Sequence, residues 1–334
     1  MATGMGFPVI ASLVSEGVVA RERDRAHRTV RADLPLAGHP AQLSDVYCEA
    51  RPSLMATHDA VFGWDEDTNA EAYDAFTRAH PMYDATSRDL ALRADLAAAS
   101  LVVDLCGGTG ATARAILDLT PSWARVLSLD NAAAMQRVGR RTLTDPRLSW
   151  ITAAAERLAD HVPVDSVDAV VCNSAIWKTD TRRVFASVAR ILRPGGRLVF
   201  NIGGGFAGLH PGEQAAPSVP SLTTLIHQVT ARTYGCIPPP LEAETPPKLP
   251  LGAVTEQLAV AGLVTVGSEI VAQSVTMAER RAWLSIPVFA QPEGDFTHAR
   301  RMEILDAAYA LTTPDATTVT SWLVVTAQRP KATS

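Results

Sequence analysis

Leu101-Val-Val-Asp-Leu-Cys-Gly-Gly-Thr-Gly-Ala-Thr-Ala-Arg-Ala-Ile-Leu-Asp-Leu119 is the stretch on which the reading of this 334-residue chain turns. The run Ser100 to Leu105 is apolar apart from Asp104, a glycine-rich turn follows at Gly107-Gly-Thr-Gly110, and a helix-period pattern begins after it. That order predicts a buried parallel strand, a tight turn and a helix N-terminus, the first half of a βαβ unit. Glycine suits the turn because the backbone must reverse sharply and let a ligand approach with no Cβ in the way. The first helical N–H groups then face whatever sits above the turn.

Asp104 bears on the ligand. A dinucleotide turn of the G-x-G-x-x-G type cradles a pyrophosphate, which a carboxylate at the end of the strand repels. With Gly108 and Gly110 as its first two glycines, the third position of that fingerprint is Ala113. A ligand carrying an ammonium and a sulfonium is attracted by the same carboxylate, so the residues favour S-adenosylmethionine (SAM) over NAD. Asp104-Leu-Cys-Gly-Gly-Thr-Gly110 resembles motif I of the class I SAM-dependent methyltransferases, with Cys106 where that family most often has its first glycine.

Working outward, Ala124 to Asp130 reads as a second strand ending in an acidic residue 22 positions beyond Gly108. A doubly wound fold uses a carboxylate there to accept hydrogen bonds from ribose hydroxyls; the plainer role is a cap on the helix Ala132 to Thr142. The resemblance implies that Asn131 and Met135 line the adenosine. Leu148 to Thr152 is a third strand. The family usually has an acidic residue soon after it to accept from the adenine amino group; here Ala154 takes that place, with Ala155 beside it and Glu156 two positions on. Val167 to Cys172 is a fourth strand, followed by Asn173 and Ser174, suited to hydrogen-bond near the sulfonium, and by Trp177, apolar enough to wall off an acceptor. An amphipathic helix, Thr181 to Leu192, stops at Arg193-Pro-Gly-Gly196 and leads into a fifth strand, Arg197 to Ile202. The phrase ILRPGGRLVF is among the most recognisable of the family, and its role there is structural.

The resemblance covers roughly residues 68 to 330. It implies a Rossmann-like, doubly wound α/β fold with a seven-stranded sheet, mostly parallel with strand 7 antiparallel, bound to SAM and yielding S-adenosylhomocysteine (SAH). Residues 99–330 form the core on this reading, with residues 61–98 a helical lid whose Tyr73 or Tyr83 touches the cofactor. Within the lid Asn69 is a candidate N-cap, Pro81 a break, and a second helix is expected from about Ser87 to Leu96. Residues 203–250 hold nine of the 22 prolines, and an insertion after strand five lies over the carboxyl ends of the strands, where open α/β sheets bind ligands; it is read as an acceptor-binding cap with a helix at Ser221 to Thr233. Leu263 to Val271 and Thr318 to Ala327 supply strands six and seven, and Phe296 to Leu311 a long helix. Residues 1–60 form a mixed-charge helical extension that packs on the core or on a second subunit, leaving a homodimer open.

A net charge of −5 and a pI near 5.9 argue against nucleic acid as a partner. No apolar run is long enough to span a membrane. The four cysteines match no disulfide or metal spacing, so no metal is expected and a reducing cytoplasm is the simplest location. The function expected is methyl transfer to a small-molecule acceptor, in a bacterial chain a secondary metabolite or its precursor. A phenol or alcohol acceptor needs a base, usually histidine: His210, just after strand five, is the first candidate, while His80, His227 and Tyr234, with Trp177, are candidates for the acceptor pocket. The alternatives are a non-methylating reaction such as cyclisation on the same fold, and a non-catalytic SAM-binding module.

Overall fold

The computed structural model describes residues 63–209, 220–235, 249–292 and 295–331. The expected N-terminal extension and His210 lie outside them. The elements, in chain order, begin with helices α1 (Asp67–Ala79) and α2 (Pro81–Arg93). They continue through β1 (Leu101–Leu105), α3 (Ala111–Leu119), β2 (Arg125–Asp130), α4 (Ala133–Thr142), β3 (Leu148–Thr152), β4 (Val167–Cys172), α5 (Thr181–Ile191) and β5 (Leu192–Gly203). After β5 come the single turn α6 (Gly204–Ala207), α7 (Leu222–Tyr234), α8 (Leu251–Val260), β6 (Val264–Thr276), α9 (Met277–Leu284), α10 (His298–Tyr309) and β7 (Thr317–Gln328).

The seven strands form one sheet in the order β3-β2-β1-β4-β5-β7-β6. Strands β1 to β5 pair in parallel, and β7 enters antiparallel between β5 and β6. This is the doubly wound sheet that the sequence implied. Parallel strands covered on both faces must be apolar throughout, and Val102, Val103, Leu105, Val170, Val171, Leu198 and Val199 are fully buried. One face packs against α5 and α8 through Val184, Phe185, Val188, Ile191, Val254 and Leu258. The other packs against α2 and α3 through Leu90, Ala91, Ala113 and Ile116. Each such large side chain contributes roughly 1.5–3 kcal/mol of burial. Because β2 and β3 lie on one side of β1, and β4 and β5 on the other, the chain reverses direction between β1 and β4, leaving a crevice at the carboxyl ends there.

Three expectations are corrected. Asn69 does not cap α1; it lies inside the helix, where Nδ2 donates to Gly63 O (2.7 Å) and Oδ1 accepts from Val288 N (2.9 Å). The first helix ends before Pro81 as expected, but the second starts at Pro81 itself and not near Ser87. Pro81 is the first residue of α2, where its fixed φ and missing N–H fit a helical first turn, and the helix ends at Arg93. β5 begins at Leu192, paired with Val167, and a register shift between Val167 and Ala169 takes up the Pro194-Gly-Gly196 segment inside the strand.

The described part of the expected cap, α7, packs with α9 and α10 through Leu222, Leu225, Ile226, Met277, Leu284, Ile304, Leu305 and Ala308. The cap layer is thus built from two separate insertions, one after β5 and one between β6 and β7. An aromatic cluster joins it to the lid: Phe76, Met82 and Tyr83 of α1 and α2 pack with Val275, Ile286, Trp283 and Phe289. Two hydrogen bonds fix that junction, Met82 N to Glu279 Oε1 (2.9 Å) and Gln273 Nε2 to Met82 O (3.2 Å). No helix among the described residues is long and apolar enough to cross a membrane.

Candidate active site at the carboxyl ends of the strands

The glycine turn after β1 is tied to the end of β2. Gly107 N donates to Leu129 O (3.1 Å), Gly110 N to Gly107 O (2.8 Å), and Gly108 N to Asp130 Oδ2 (2.9 Å). Its backbone is left-handed at Cys106, Gly108 and Gly110, with φ of 55°, 55° and 90°. A Cβ on Gly107 would stand 2.2 Å from Asp104 Oδ2 and 2.3 Å from Ser128 Oγ, so only glycine closes this turn over the acid. Cys106 adopts a conformation that costs an L-residue roughly 1–2 kcal/mol, where glycine adopts it freely. The Cys172 thiol beside it, together with burial, pushes the Cys106 thiol well above its ordinary range, so it stands as an uncharged thiol.

Asp104 is fully buried directly beneath the turn. It pairs in register with Ser128 of β2, whose Oγ donates to Asp104 Oδ2 (3.2 Å). Oδ1 is buried with no partner among the described residues. Burial pushes the carboxyl pKa up to about 7, and Asp130 adds to the rise while Ser128 and the backbone at Ala113 oppose it. An acid so placed carries an unmet demand for a donor or a cation.

Asp130 ends β2 with both oxygens engaged by backbone: Oδ2 by Gly108 N, and Oδ1 by Ala132 N (2.8 Å). Each oxygen keeps a free lone pair for a second donor. Asn131 is exposed beside it, and Met135 is buried on α4 against Trp64 and Tyr73. Ala154 is extended, and Ala155 opens a short 3-10 turn. Glu156 Oε1 accepts from Asp180 N (2.8 Å), joining that turn to the start of α5.

After β4 the chain enters a polar network. Asn173 Nδ2 donates to Thr86 Oγ1 (3.1 Å) and Ser87 Oγ (3.0 Å) on α2, while Asn173 Oδ1 accepts from Asn201 Nδ2 (3.0 Å) and Ser174 Oγ (2.9 Å). Ser174 N donates to Asn201 Oδ1 (2.6 Å), and this holds Ser174 left-handed at φ 58°. Ends of β4 and β5 are thereby fastened to the lid.

The lid itself roofs the turn. A Cβ on Gly108 would lie 3.8 Å from Tyr73 Cε1, so Tyr73 covers the turn's open side. Tyr73 meets Tyr83 edge-on at 5.4 Å and Trp64 at 5.5 Å, and Lys178 lies over Trp64 at 4.8 Å. Burial pushes the Tyr83 phenol up to about 12 and the Tyr73 phenol well above its ordinary range. Both stay protonated at neutral pH and act as donors, not bases.

The remaining candidates are dispersed. His80, between α1 and α2, stacks on Phe76 at 4.7 Å. His227 is partly exposed on α7, and Tyr234, in the last turn of that helix, packs edge-on against Phe296 at 5.4 Å. Trp177 stacks on Phe206 at 4.8 Å beyond β4, with its Nε1 buried and without a partner among the described residues. Trp322, opposite Gly203 at the end of β5, has a buried Nε1 in the same condition. Tyr73, Tyr83, Asp104, the glycine turn, Asp130, Met135, Asn173 and Ser174 are brought together, and His227 and Tyr234 belong to the cap layer.

Residues 102–196 match the family described as a methyltransferase domain. An uncharacterised methyltransferase of Mycobacterium tuberculosis strain H37Rv is 36% identical over 129 residues, covering 38% of this chain and 48% of that protein. A ubiquinone/menaquinone biosynthesis C-methyltransferase of Francisella philomiragia is 32% identical over 103 residues, covering 29% and 40%. The chain spans about half the length of the curated relatives it matches. Among solved structures, a methyltransferase-like protein of Bacillus halodurans aligns at a TM-score of 0.46 with 14% identity, over 74% of this chain and all of that one.

Several residues that shape the candidate site have no motif of their own. Ser128 and Asn201 were detectable as lone polar residues inside apolar strands, Arg125-Val-Leu-Ser-Leu-Asp130 and Leu198-Val-Phe-Asn-Ile202. Thr86, Ser87, Trp283 and Glu279 carry no such signal, since their partners are remote in sequence.

Proposed function

We propose that this chain transfers the methyl group of SAM to a small-molecule acceptor, a secondary metabolite or its precursor. The observation that carries the reading is the buried Asp104 carboxyl, its Oδ1 without a partner among the described residues, beneath a glycine turn at the reversal point of the sheet. A cationic amino-acid group fits that floor, and a pyrophosphate does not. Asp130 offers its free lone pairs to a ribose at the end of β2, Met135 supplies an apolar face for the adenine, and Tyr73 closes the turn from above. The residues present therefore fit SAM.

When bound, SAM supplies an electrophilic methyl carbon on a cationic sulfur. Its sulfur would be the leaving group for a nucleophile that the acceptor supplies. The chain's own tasks are alignment and exclusion of water. Asn173, Ser174 and Asn201 fix the wall after β4, while Trp177 and the lid aromatics keep the space dry. The two lid phenols, held protonated, cannot serve as the base. His210 remains our candidate base for an oxygen acceptor.

Incubation with SAM and a panel of phenols, carboxylic acids and amines, read by mass spectrometry, tests this. The expected result is an acceptor heavier by one methylene with matching SAH. Acceptor conversion with SAM left intact would show a different reaction on the same fold.

A further inference from the structure

Helix α9 carries two adjacent arginines with opposite fates. Arg281 faces outward and pairs with Asp306 on α10, Nη2 to Oδ1 at 2.7 Å. Arg280 stands on the inward stripe with Met277, Trp283 and Leu284, at the i, i+3 and i+4 spacings that share one helix face. Met277 and Leu284 on that stripe are buried, and Trp283 packs with the lid aromatics at 5.4 Å from Tyr83. Arg280 itself is partly buried. Among the described residues it makes no ion pair or hydrogen bond, and Tyr83 is the one titratable group acting on it. The neighbouring carboxylate, Glu279, is already committed to Met82 N.

An arginine stays charged at any working pH. Drawing its guanidinium out of water without a counter-charge is unfavourable, and an apolar residue would suit this stripe better. Such a local conflict is expected at a functional position. Its surroundings say which function. Tyr83 meets Tyr73 edge-on at 5.4 Å, and Tyr73 lies over Gly108. Arg280 is therefore separated from the glycine turn by two aromatic side chains, on the side where cap and lid meet.

We propose that Arg280 binds an oxyanion carried by the acceptor, a carboxylate or phosphate, so that the rest of the acceptor runs along Tyr83 and Trp283 toward the donor's methyl group. This rests on the methyltransferase reading and narrows its substrate class to acidic small molecules. Guanidinium suits the task because its planar fork binds carboxylate and phosphate in bidentate fashion.

The test uses the full-length protein saturated with SAH, titrated calorimetrically with benzoate, phenyl phosphate, inorganic phosphate and neutral benzyl alcohol. At least one aryl anion is expected to bind about tenfold or more tightly than benzyl alcohol, the span of one charge-assisted contact. Inorganic phosphate binding as tightly as phenyl phosphate would mark a free-anion site and overturn the assignment to the acceptor. Arg280→Met should erase the anion preference, Arg280→Lys should keep part of it, and SAH affinity should change less than about twofold in both. The melting temperature of Arg280→Met without ligand should be no lower than wild type, because no partner among the described residues is lost. Equal binding of anion and alcohol by the wild type, or a preference that survives Arg280→Met, would sink the proposal. Failure of the wild type to bind SAH at the outset would instead strike the methyltransferase reading.

Discussion

Asp104→Asn separates what the fold needs from what the ligand needs. The Asp104 carboxyl titrates at about 7 in the folded chain against 3.8 for the ordinary group. Each pKa unit is worth about 1.4 kcal/mol, so ionising Asp104 in the empty site destabilises the fold by roughly 4 kcal/mol. The sign follows from proton binding. Above pH 4 the folded state holds this proton more tightly than the unfolded chain, so the stabilisation is full below about pH 4, declines as pH rises, and is gone above about pH 7. Asparagine does not titrate. The stability difference, wild type minus Asp104→Asn, should therefore fall by about 3 kcal/mol between pH 5 and pH 8, read by urea denaturation at both pH values. With saturating SAH the order should reverse, since the amino group of the ligand meets the carboxylate; the variant should bind SAH about ten- to a hundredfold more weakly. Parallel pH dependences for the two proteins, or unchanged SAH affinity in the variant, would refute the reasoning.

Further outcomes follow from the same contacts. Gly107→Ala should destabilise by about 1–3 kcal/mol in a thermal melt, because its Cβ meets Asp104 and Ser128, whereas Gly205→Ala, with nothing within 4 Å, should be close to neutral. Asn201→Ala removes the acceptor of Ser174 N and the donor to Asn173; it should cost about 1–3 kcal/mol of stability and weaken SAH binding in calorimetry. Glu279→Ala unfastens the lid from the cap at Met82, so hydrogen exchange in the first turn of α2 should accelerate while β1 and β4 keep their protection. Tyr83→Phe should leave the pH profile of turnover unchanged between pH 6 and 10, since a phenol at about 12 contributes no limb there; loss of an alkaline limb would contradict its assignment as a neutral donor.

The sheet was legible because parallel strands buried on both faces write themselves as apolar runs, and because the glycine turn and Asp130 mark the first two strand ends. Helix ends were less so: Pro81 is compatible with both a break and a first turn, and Pro194-Gly-Gly196 hid a strand that starts five residues before Arg197, since a register shift leaves no compositional mark. At the site, the local motif named the cofactor-side residues, while the contacts that fasten it run between distant segments. Asn173 to Ser87 and Met82 to Glu279 span 86 and 197 positions. No periodicity encodes such pairs. Arg280 was equally silent, as its meaning comes from the partner it lacks among the described residues.

Side-by-side calorimetric titration of the wild-type protein with SAH and with NAD weighs directly on the identity of the cofactor. Saturable one-to-one binding of SAH with no heat from NAD is the expected result, and tight NAD binding without SAH binding would contradict it.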